Sequence, residues 1–554
     1  MSDLIKYIQA DLKKENIDGV VITKSDPFLS GYYPPYKERL KEVSSFSGSD
    51  GIALILKEKA FLFVDSRYTE QAKQQTDFIV YEVPRDTRLS LWLKENMQDK
   101  KIIFDSVVHS YAWYEEMKSI LKECNISLEP AANELINKWF KPVNFEQEVF
   151  DYSLVYAGKT TNEKLADISA VLSDKNLDAY IVLSPENTSW ILNKRDSKKS
   201  EYPVLFKRMC IFKNGDFSVF DEELPDLKGL KIGIDYHKAS VDIVLSLLKT
   251  GAKLKNISDF VDDMKAKKNA VEVKNIKEAC LFESKVICSF LAYVEKNKDT
   301  ITEIDCDKKL KELRKESLLY FHDSFQTIAA SGVHAAFAHY SATEESYSFV
   351  RENPLLLIDT GGHYLNGTTD MTRTIVISEP SKLMKKRYTE VLKGHIAVSL
   401  GQIKNGESTA KLDEVAHAFL RADNVDFYHA TGHGIGMMLG VHEYPPAIYG
   451  RDNKGLQESM VFSNEPAYYD VDEKFGIRLE NMLLSVKDKQ DSLIFEDLLF
   501  IPFDYRAIEF ELLTKTEIKW LKDYHLMVEK KVFPLLSDTE KEILKPFVDA
   551  FLKG

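Results

Sequence analysis

Residues 355–374 read LLLIDTGGHYLNGTTDMTRT, and this stretch decides the fold expected of the chain. An apolar strand ends in Asp359, a glycine turn follows, and Asp370 opens a second strand. A hairpin that returns through Asn366 and Gly367 would bring the two carboxylates side by side. Because like-charged carboxylates at close range stay protonated unless a cation holds them, the pair predicts a cation site.

Three motifs further along the chain extend this set. They are TGHG (431–434), NEP (464–466) and RLEN (478–481). With them, the candidate metal ligands become Asp359, Asp370, His433, Glu465 and Glu480. Four carboxylates and one imidazole indicate two divalent metal ions, and oxygen-rich donors favour Mn²⁺ or a similar hard ion. Paired ions of this kind activate water and polarise a bond under attack, so the sequence predicts a metallohydrolase.

The histidines are concentrated around these motifs. Eight of the twelve lie between His334 and His442. A lone histidine is more often structural than functional, so His363, His395 and His417 are interpreted as structural. Each acidic residue taken alone could equally be a solvated turn or cap, but that reading does not explain all five motifs together.

Composition limits the remaining function classes. The chain has 554 residues and a formal net charge of -13 without a long basic block, which disfavours nucleic-acid binding. No apolar run approaches the roughly 18 residues of a membrane span, and the N-terminal sequence is unlike a secretory signal. The five cysteines are scattered and form no CxxC pair, which favours a reduced, cytoplasmic protein.

A weak internal repeat organises the first half of the chain. Residues 12–22 recur as residues 172–182, and in both copies a helical pattern gives way to a short apolar strand. The apolar runs at 51–56, 60–64 and 204–206 predict further strands. We therefore expect two related α/β domains, 1–145 and 146–265, followed by a catalytic domain, 266–554, that holds every candidate ligand.

The motifs resemble those of the M24 metallopeptidases, whose catalytic domain has the pita-bread fold, and most closely those of the long, three-domain aminopeptidases P. The similarity extends beyond the ligands to both N-terminal domains and to the segments around three histidines. The segments concerned are 45–51 and 64–68, 187–195, 338–340, 394–399 and 441–443.

The resemblance implies an Xaa-Pro aminopeptidase that releases the first residue of peptides with proline second. Asp359 would bind one metal, His433 and Glu465 the other, and Asp370 and Glu480 would bridge both. Glu465 would be the general base, and His442 and His339 would join it as catalytic residues. The substrate-binding residues would be His339, His429, His442 and Arg478. The resemblance also implies a cytosolic homodimer.

Two alternatives remain at this stage. Prolidase cleaves only Xaa-Pro dipeptides and shares the five ligands, although its chains usually have two domains. The second alternative is a non-catalytic protein that uses the pita-bread fold to bind peptides. Such proteins typically lose ligands, whereas this chain retains all five.

Overall fold

A computed structural model describes most of the chain. It covers residues 3–34, 36, 38–48, 50–65, 68–83, 88–141, 145–221, 223–452 and 454–552. Three residues of the N-terminal motifs, Ser49, Ser66 and Arg67, lie outside this part. The chain divides into two compact units. The N-terminal unit comprises residues 1–149, 160–194 and 205–261, and the C-terminal unit comprises 150–159, 195–204 and 262–554.

The first 139 residues alternate helices and strands. In chain order these are α1 (Asp3–Lys14), β1 (Gly19–Thr23), α2 (Arg39–Ser44), β2 (Ile52–Leu56), β3 (Ala60–Val64), α3 (Thr69–Gln75), β4 (Ile79–Glu82), α4 (Arg88–Asn96), β5 (Lys101–Phe104), α5 (Tyr111–Lys122), β6 (Ser127–Pro130) and α6 (Asn133–Trp139). The strands form one mixed sheet in the order β4-β3-β2-β1-β5-β6. Helix α1 is amphipathic, and its buried Ile5, Ile8 and Leu12 belong to the hydrophobic core beside this sheet.

The next segment repeats this arrangement around a five-stranded sheet. It contains β7 (Val149–Asp151), α7 (Leu154–Ala157), α8 (Thr161–Asp174), β8 (Ala179–Val182), α9 (Pro185–Leu192), β9 (Lys194–Asp196), β10 (Arg208–Phe212), β11 (Phe217–Phe220), β12 (Lys231–Ile234), α10 (Val241–Lys249), β13 (Lys253–Asn256) and α11 (Phe260–Ala266). The sheet order is β11-β10-β8-β12-β13. Both β1 and β8 pair antiparallel on one side and parallel on the other. The predicted helix-to-strand repeat is thus confirmed as α1–β1 and α8–β8.

One strand prediction is wrong. Residues 205 and 206 are buried, as the apolar run suggested, but they belong to no strand. Their backbone N–H groups donate to side chains instead, Leu205 to the Ser189 hydroxyl at 2.7 Å and Phe206 to the Gln147 amide oxygen at 2.7 Å. An apolar run predicts burial, but side-chain acceptors can satisfy the backbone without a neighbouring strand.

The remainder of the chain forms the region that carries the candidate ligands. Its elements are α12 (Ala270–Asn297), α13 (Glu303–Arg314), β14 (Tyr320–Asp323), β15 (Ile328–Ser331), β16 (Leu355–Thr360), β17 (Gly362–Tyr364), β18 (Gly367–Thr368), β19 (Met371–Val376), α14 (Lys382–Ser399), β20 (Ile403–Lys404), α15 (Ala410–Arg421), β21 (Gly432–Gly434), β22 (Glu443–Ile448), β23 (Val461–Asn464), β24 (Ala467–Asp470), β25 (Phe475–Arg478), β26 (Asn481–Lys487), β27 (Ser492–Asp497), α16 (Lys515–Lys531) and α17 (Asp538–Leu552).

The sheets of this region are antiparallel. One is three-stranded, β15-β16-β19, and the largest is six-stranded, β20-β27-β26-β23-β21-β22. Every residue of β16 and β19 is buried, which explains the uninterrupted apolar run before Asp359. Among the described helices, none combines the length and apolarity that a bilayer crossing needs.

Candidate metal centre

The candidate ligands lie where strands of the C-terminal unit begin and end. Asp359 is the penultimate residue of β16 and pairs with Thr372 of β19, and Asp370 directly precedes β19. Glu480 directly precedes β26, and its N–H donates to the carbonyl of Thr372 at 3.0 Å. This backbone hydrogen bond therefore joins two residues that are 108 positions apart along the chain.

Three of the five candidates form a tight cluster. One ligand atom from each of Asp370, His433 and Glu480 lies within 4.8 Å of the others. His433 Nε2 lies 3.3 Å from Asp370 Oδ2 and 3.6 Å from Glu465 Oε1, which places Glu465 at the edge of the cluster. Asp359 is electrostatically coupled to both Asp370 and Glu465, so it lies close to the same group.

The orientation of His433 follows from its local backbone. Its Nδ1 donates to the carbonyl of Gly434 at 3.0 Å, which leaves Nε2 directed at the carboxylates. Strand β21 can approach β23 this closely because Gly432 has no side chain. A Cβ at Gly432 would lie 1.9 Å from the carbonyl oxygen of Ser463 on β23.

In the absence of metal, burial and mutual repulsion favour the protonated form of three of the carboxyls, Asp370, Glu465 and Glu480. Burial raises the pKa of Glu465 to about 7, with further contributions from Asp370 and Asp359. The same two causes raise the pKa of Asp370 and raise that of Glu480 well above its ordinary value. Burial opposes the charged form of His433, but Asp370 and Glu465 raise its pKa to about 9. Divalent cations would replace these protons.

Asp359 provides a direct test of whether the residues fit a metal. Its Oδ2 accepts from Arg478 Nη2 at 2.5 Å, whereas its Oδ1 is buried and, within the described chain, has no hydrogen-bond partner. A buried carboxylate oxygen of this kind needs a ligand. The donor set of four carboxylates and one imidazole suits hard divalent ions.

The substrate-binding candidates surround this cluster. The ring of His442 lies 4.2 Å from that of His433, centroid to centroid, and is reached by solvent. His429 donates from Nδ1 to its neighbour's carbonyl at 2.8 Å, and its Nε2 lies 3.0 Å from the Tyr469 hydroxyl. His339 is exposed and close enough to lower the pKa of both other histidines.

Arg478 is buried and held by three partners. Besides Asp359, its Nε donates to the Thr372 hydroxyl at 3.2 Å and its Nη1 to the Tyr469 hydroxyl at 2.5 Å. The Thr372 hydroxyl in turn donates to Glu480 Oε2 at 2.9 Å. The sequence reasoning missed both Thr372 and Tyr469. The one available signal was their position directly beside a ligand motif.

The three histidines interpreted as structural bind other groups. His363 Nε2 donates to the carbonyl of Glu201 at 3.0 Å, and His395 Nδ1 donates to that of Leu479 at 3.1 Å. His417 forms ion pairs with Asp413 and Asp426. The His395 contact fixes the residue immediately before Glu480.

Comparison with known protein families divides the chain into four parts. The model of metallopeptidase family M24 matches residues 274–487, and that of the C-terminal region of this peptidase family matches 491–546. Two models of the creatinase/prolidase N-terminal domain match 5–139 and 141–223.

Curated relatives and a solved structure extend over nearly the whole chain. Aminopeptidase P2 of Arabidopsis thaliana is 30% identical and aligns with 94% of this chain and 84% of its own length. Xaa-Pro aminopeptidase 1 of Dictyostelium discoideum is 28% identical over 98% of this chain and 95% of its own. The crystal structure of an X-prolyl aminopeptidase from Caenorhabditis elegans, described as a cytosolic enzyme with a di-nuclear active site, matches with a TM-score of 0.83 at 26% identity. It covers 97% of this chain and 95% of that one.

These comparisons confirm the predicted fold class. Two related creatinase/prolidase-like α/β domains precede a catalytic domain with the pita-bread fold.

Proposed function

We propose that this chain, which belongs to metallopeptidase family M24 and within it to the aminopeptidases P, hydrolyses the bond before a proline in second position and releases the N-terminal residue. One observation carries the proposal. A ligand cluster of Asp370, His433 and Glu480 lies in a chain that aligns almost end to end with Xaa-Pro aminopeptidases. Peptides with proline second are therefore its substrates.

Two divalent ions would be held by Asp359, Asp370, His433, Glu465 and Glu480. We assign Asp359 to one ion, His433 and Glu465 to the other, and Asp370 and Glu480 to both. The oxygen-rich donor set favours Mn²⁺. When bound, the ions supply Lewis-acid activation of water and of the carbonyl before the proline.

Glu465 is suited to move the proton that this reaction requires. Its carboxylate lies at the edge of the ligand cluster, with Oε1 3.6 Å from His433 Nε2, and once a cation has displaced its proton it can accept one from the attacking water. The leaving proline nitrogen carries no N–H and must gain a proton as the bond breaks. Glu465 can return the same proton to that nitrogen.

The surrounding histidines are suited to the substrate. Crowding by protein, together with His433 and His339, lowers the pKa of His442 well below its ordinary range. His442 is therefore a neutral N–H donor that can stabilise the developing oxyanion. Burial lowers the pKa of His429 to about 3, and both its ring nitrogens already have partners, so its ring can face the proline. His339 completes this pocket. Arg478 shapes the pocket through its hydrogen bonds to the Tyr469 hydroxyl and to Asp359.

The cellular setting and the domain limits are also proposals. The five cysteines are all free, and the C. elegans relative is described as cytosolic, which supports a cytoplasmic location. We keep the domain boundaries at 145/146 and 265/266. A homodimer rests on family resemblance alone.

The test uses purified protein stripped with a chelator and reconstituted with Mn²⁺. We expect Mn²⁺ to restore release of free arginine from Arg-Pro-Pro, with weak activity on Arg-Pro and none on the matched control Arg-Ala-Pro. Cleavage confined to Arg-Pro would favour prolidase. Absence of metal-dependent cleavage would favour the peptide-binding alternative.

A further inference from the structure

Glu303 is a fully buried carboxylate at the start of α13 that the proposed reaction does not use. Its side chain accepts hydrogen bonds from four groups. They are the N–H of Ser331 at 2.7 Å, His334 Nδ1 at 3.0 Å, the Tyr340 hydroxyl at 3.1 Å and the N–H of Ser348 at 2.9 Å. All four partners belong to one segment, residues 331–348, which we call the His339 loop.

These contacts fix the His339 loop at both ends and in its middle. The N–H of Glu303 donates to the carbonyl of Ser348 at 3.1 Å, and Thr302 forms an isolated bridge with Phe349. Inside the loop, the rings of His334 and Tyr340 stack with centroids 4.1 Å apart. His334 and Tyr340, which Glu303 binds inside the loop, lie on either side of His339 in the sequence.

The loop also packs closely against the strand that carries Arg478. A Cβ at Gly476 on β25 would lie 1.8 Å from the carbonyl oxygen of Ala335. The loop is therefore held between Glu303 on one side and β25 on the other. His339 itself lies at the exposed surface of this loop, next to Tyr340.

We propose that Glu303 is a positioning residue that fixes the His339 loop and thereby sets the fit of the proline-containing substrate. Both carboxylate oxygens accept, and a glutamine could offer only one acceptor while turning an NH₂ towards N–H donors. The isosteric change Glu303→Gln therefore releases part of the loop while preserving side-chain volume. This inference rests on the proposed function, because it assigns His339 to the substrate pocket.

Kinetics of the Mn²⁺-loaded enzyme provide the first test. For Glu303→Gln, we expect KM for Arg-Pro-Pro to rise about tenfold, because substrate binding is weakened. We expect kcat to change much less and metal content to stay unchanged, because the chemical step and the metal ligands are not affected. Glu312→Gln on the same helix, whose side chain is 70% exposed, is the matched control. A loss of metal, or an equal effect of the control, would overturn the proposal.

A double-mutant cycle separates positioning from general weakening. In a His339→Ala background, Glu303→Gln should change kcat/KM by less than about twofold, because the residue that it positions is gone. If the same tenfold loss persists there, Glu303 does not act through His339. Should Glu303→Gln fold poorly, Tyr340→Phe removes a hydroxyl that contacts both Glu303 and the Ser346 carbonyl within the loop, and an unchanged KM in that variant would contradict the idea.

Amide hydrogen exchange tests the attachment of the His339 loop independently of the proposed function. In Glu303→Gln, the amides of Ser331 and Ser348 should exchange faster than in the wild-type protein, whatever the activity. Faster exchange in a protein that cleaves no Xaa-Pro peptide would refute the function and leave the loop attachment standing. Unchanged exchange would refute the attachment.

Discussion

Thr372 is the residue around which the candidate centre is arranged. It pairs with Asp359, its carbonyl accepts from the backbone of Glu480, and its hydroxyl joins Glu480 Oε2 to Arg478 Nε. The Thr372 hydroxyl thus contacts one ligand candidate, Glu480, and one pocket arginine, while the backbone of the same residue contacts Glu480 and lies opposite Asp359. Hydrogen bonds of this kind orient ligands and tune their affinity for metal.

Replacing Thr372 with valine should therefore weaken metal binding without breaking the fold. The shape is nearly preserved, but Glu480 loses a donor and Arg478 loses an acceptor. We expect affinity for Mn²⁺ to fall about 10- to 100-fold, as measured by competition with a chelator. Thr372→Ser keeps the hydroxyl and should stay near the wild-type value. Equal affinities for the two variants would argue against this role.

Asp370→Ala and Glu480→Ala should each abolish turnover and metal binding together, because a bridging carboxylate serves both ions. Metal content per chain after dialysis, measured beside Arg-Pro-Pro hydrolysis, is the appropriate readout. An active and fully metallated variant would contradict the ligand assignment.

His442→Ala should behave differently, because we assign this histidine to the substrate and not to a metal ion. We expect kcat to fall by about two orders of magnitude, as for loss of an oxyanion donor, with metal content near that of the wild type. Loss of metal from this variant would show that His442 supports the centre itself.

At this scale the sequence predicted candidate ligands but not how they are held. The ligand candidates are recognisable because carboxylates and glycines recur in dense motifs. Thr372, Tyr469 and Glu303 are ordinary residue types, and their partners lie up to 108 positions away along the chain. Only strand pairing and loop closure reveal them.

Among the elements, β19 and α16 are joined through one buried arginine. Arg373 donates to the carbonyls of Thr372 and Glu480, and also to the carbonyl of Ile501 and the hydroxyl of Tyr524 on α16. The same hydroxyl accepts from the backbone N–H of Ile501 at 3.0 Å. Helix α16 is thereby connected to the segment that carries Glu480.

Removing that hydroxyl should destabilise the protein. For Tyr524→Phe we expect the free energy of unfolding to fall by about 1–3 kcal/mol, because the buried donors of Arg373 and Asn481 lose an acceptor. Urea denaturation of the Mn²⁺-loaded protein measures the change. Tyr428→Phe, at a residue that is 83% exposed, is the control and should have no effect. Equal midpoints for the two variants would contradict the argument.

The elements themselves were largely predictable, because their hydrophobic periodicity is local. The strand ending at Asp359 and the repeated helix-to-strand unit are examples. The strand prediction failed at residues 205–206 because periodicity does not determine strand pairing. Periodicity predicts burial, whereas a strand also needs a neighbouring strand to pair with. Here side-chain oxygens accept from the backbone N–H groups instead.

For the whole molecule, metal binding and stability should be linked through pH. In the metal-free protein the pKa of Glu465 is raised to about 7 and that of His433 to about 9. A raised pKa stabilises the folded state at low pH, and this stability is lost as pH rises through the folded value. Bound cations need the deprotonated ligands, so their stabilising effect grows over the same range.

The increase in Tm on adding Mn²⁺ to chelated protein should therefore grow from pH 5 to pH 8. Thermal unfolding at fixed metal concentration provides the measurement, with Glu480→Ala as a variant that should show little increase at any pH. An increase that is constant or shrinks with pH would contradict the linkage.

The division into compact units could not be derived from a linear reading. Residues 150–159 and 195–204 belong to the C-terminal unit although their neighbours on both sides belong to the other unit. The expected boundary at 145/146 therefore remains a prediction.

The connection through Arg373 also bears on how a newly made chain matures. Synthesis proceeds from the N-terminus, and domains generally fold in that order. The ligand candidates span residues 359–480. Two hydrogen-bond acceptors of Arg373, the Ile501 carbonyl and the Tyr524 hydroxyl, are synthesised only later. We therefore expect a chain that is interrupted before residue 524 to bind metal weakly and to lack peptidase activity.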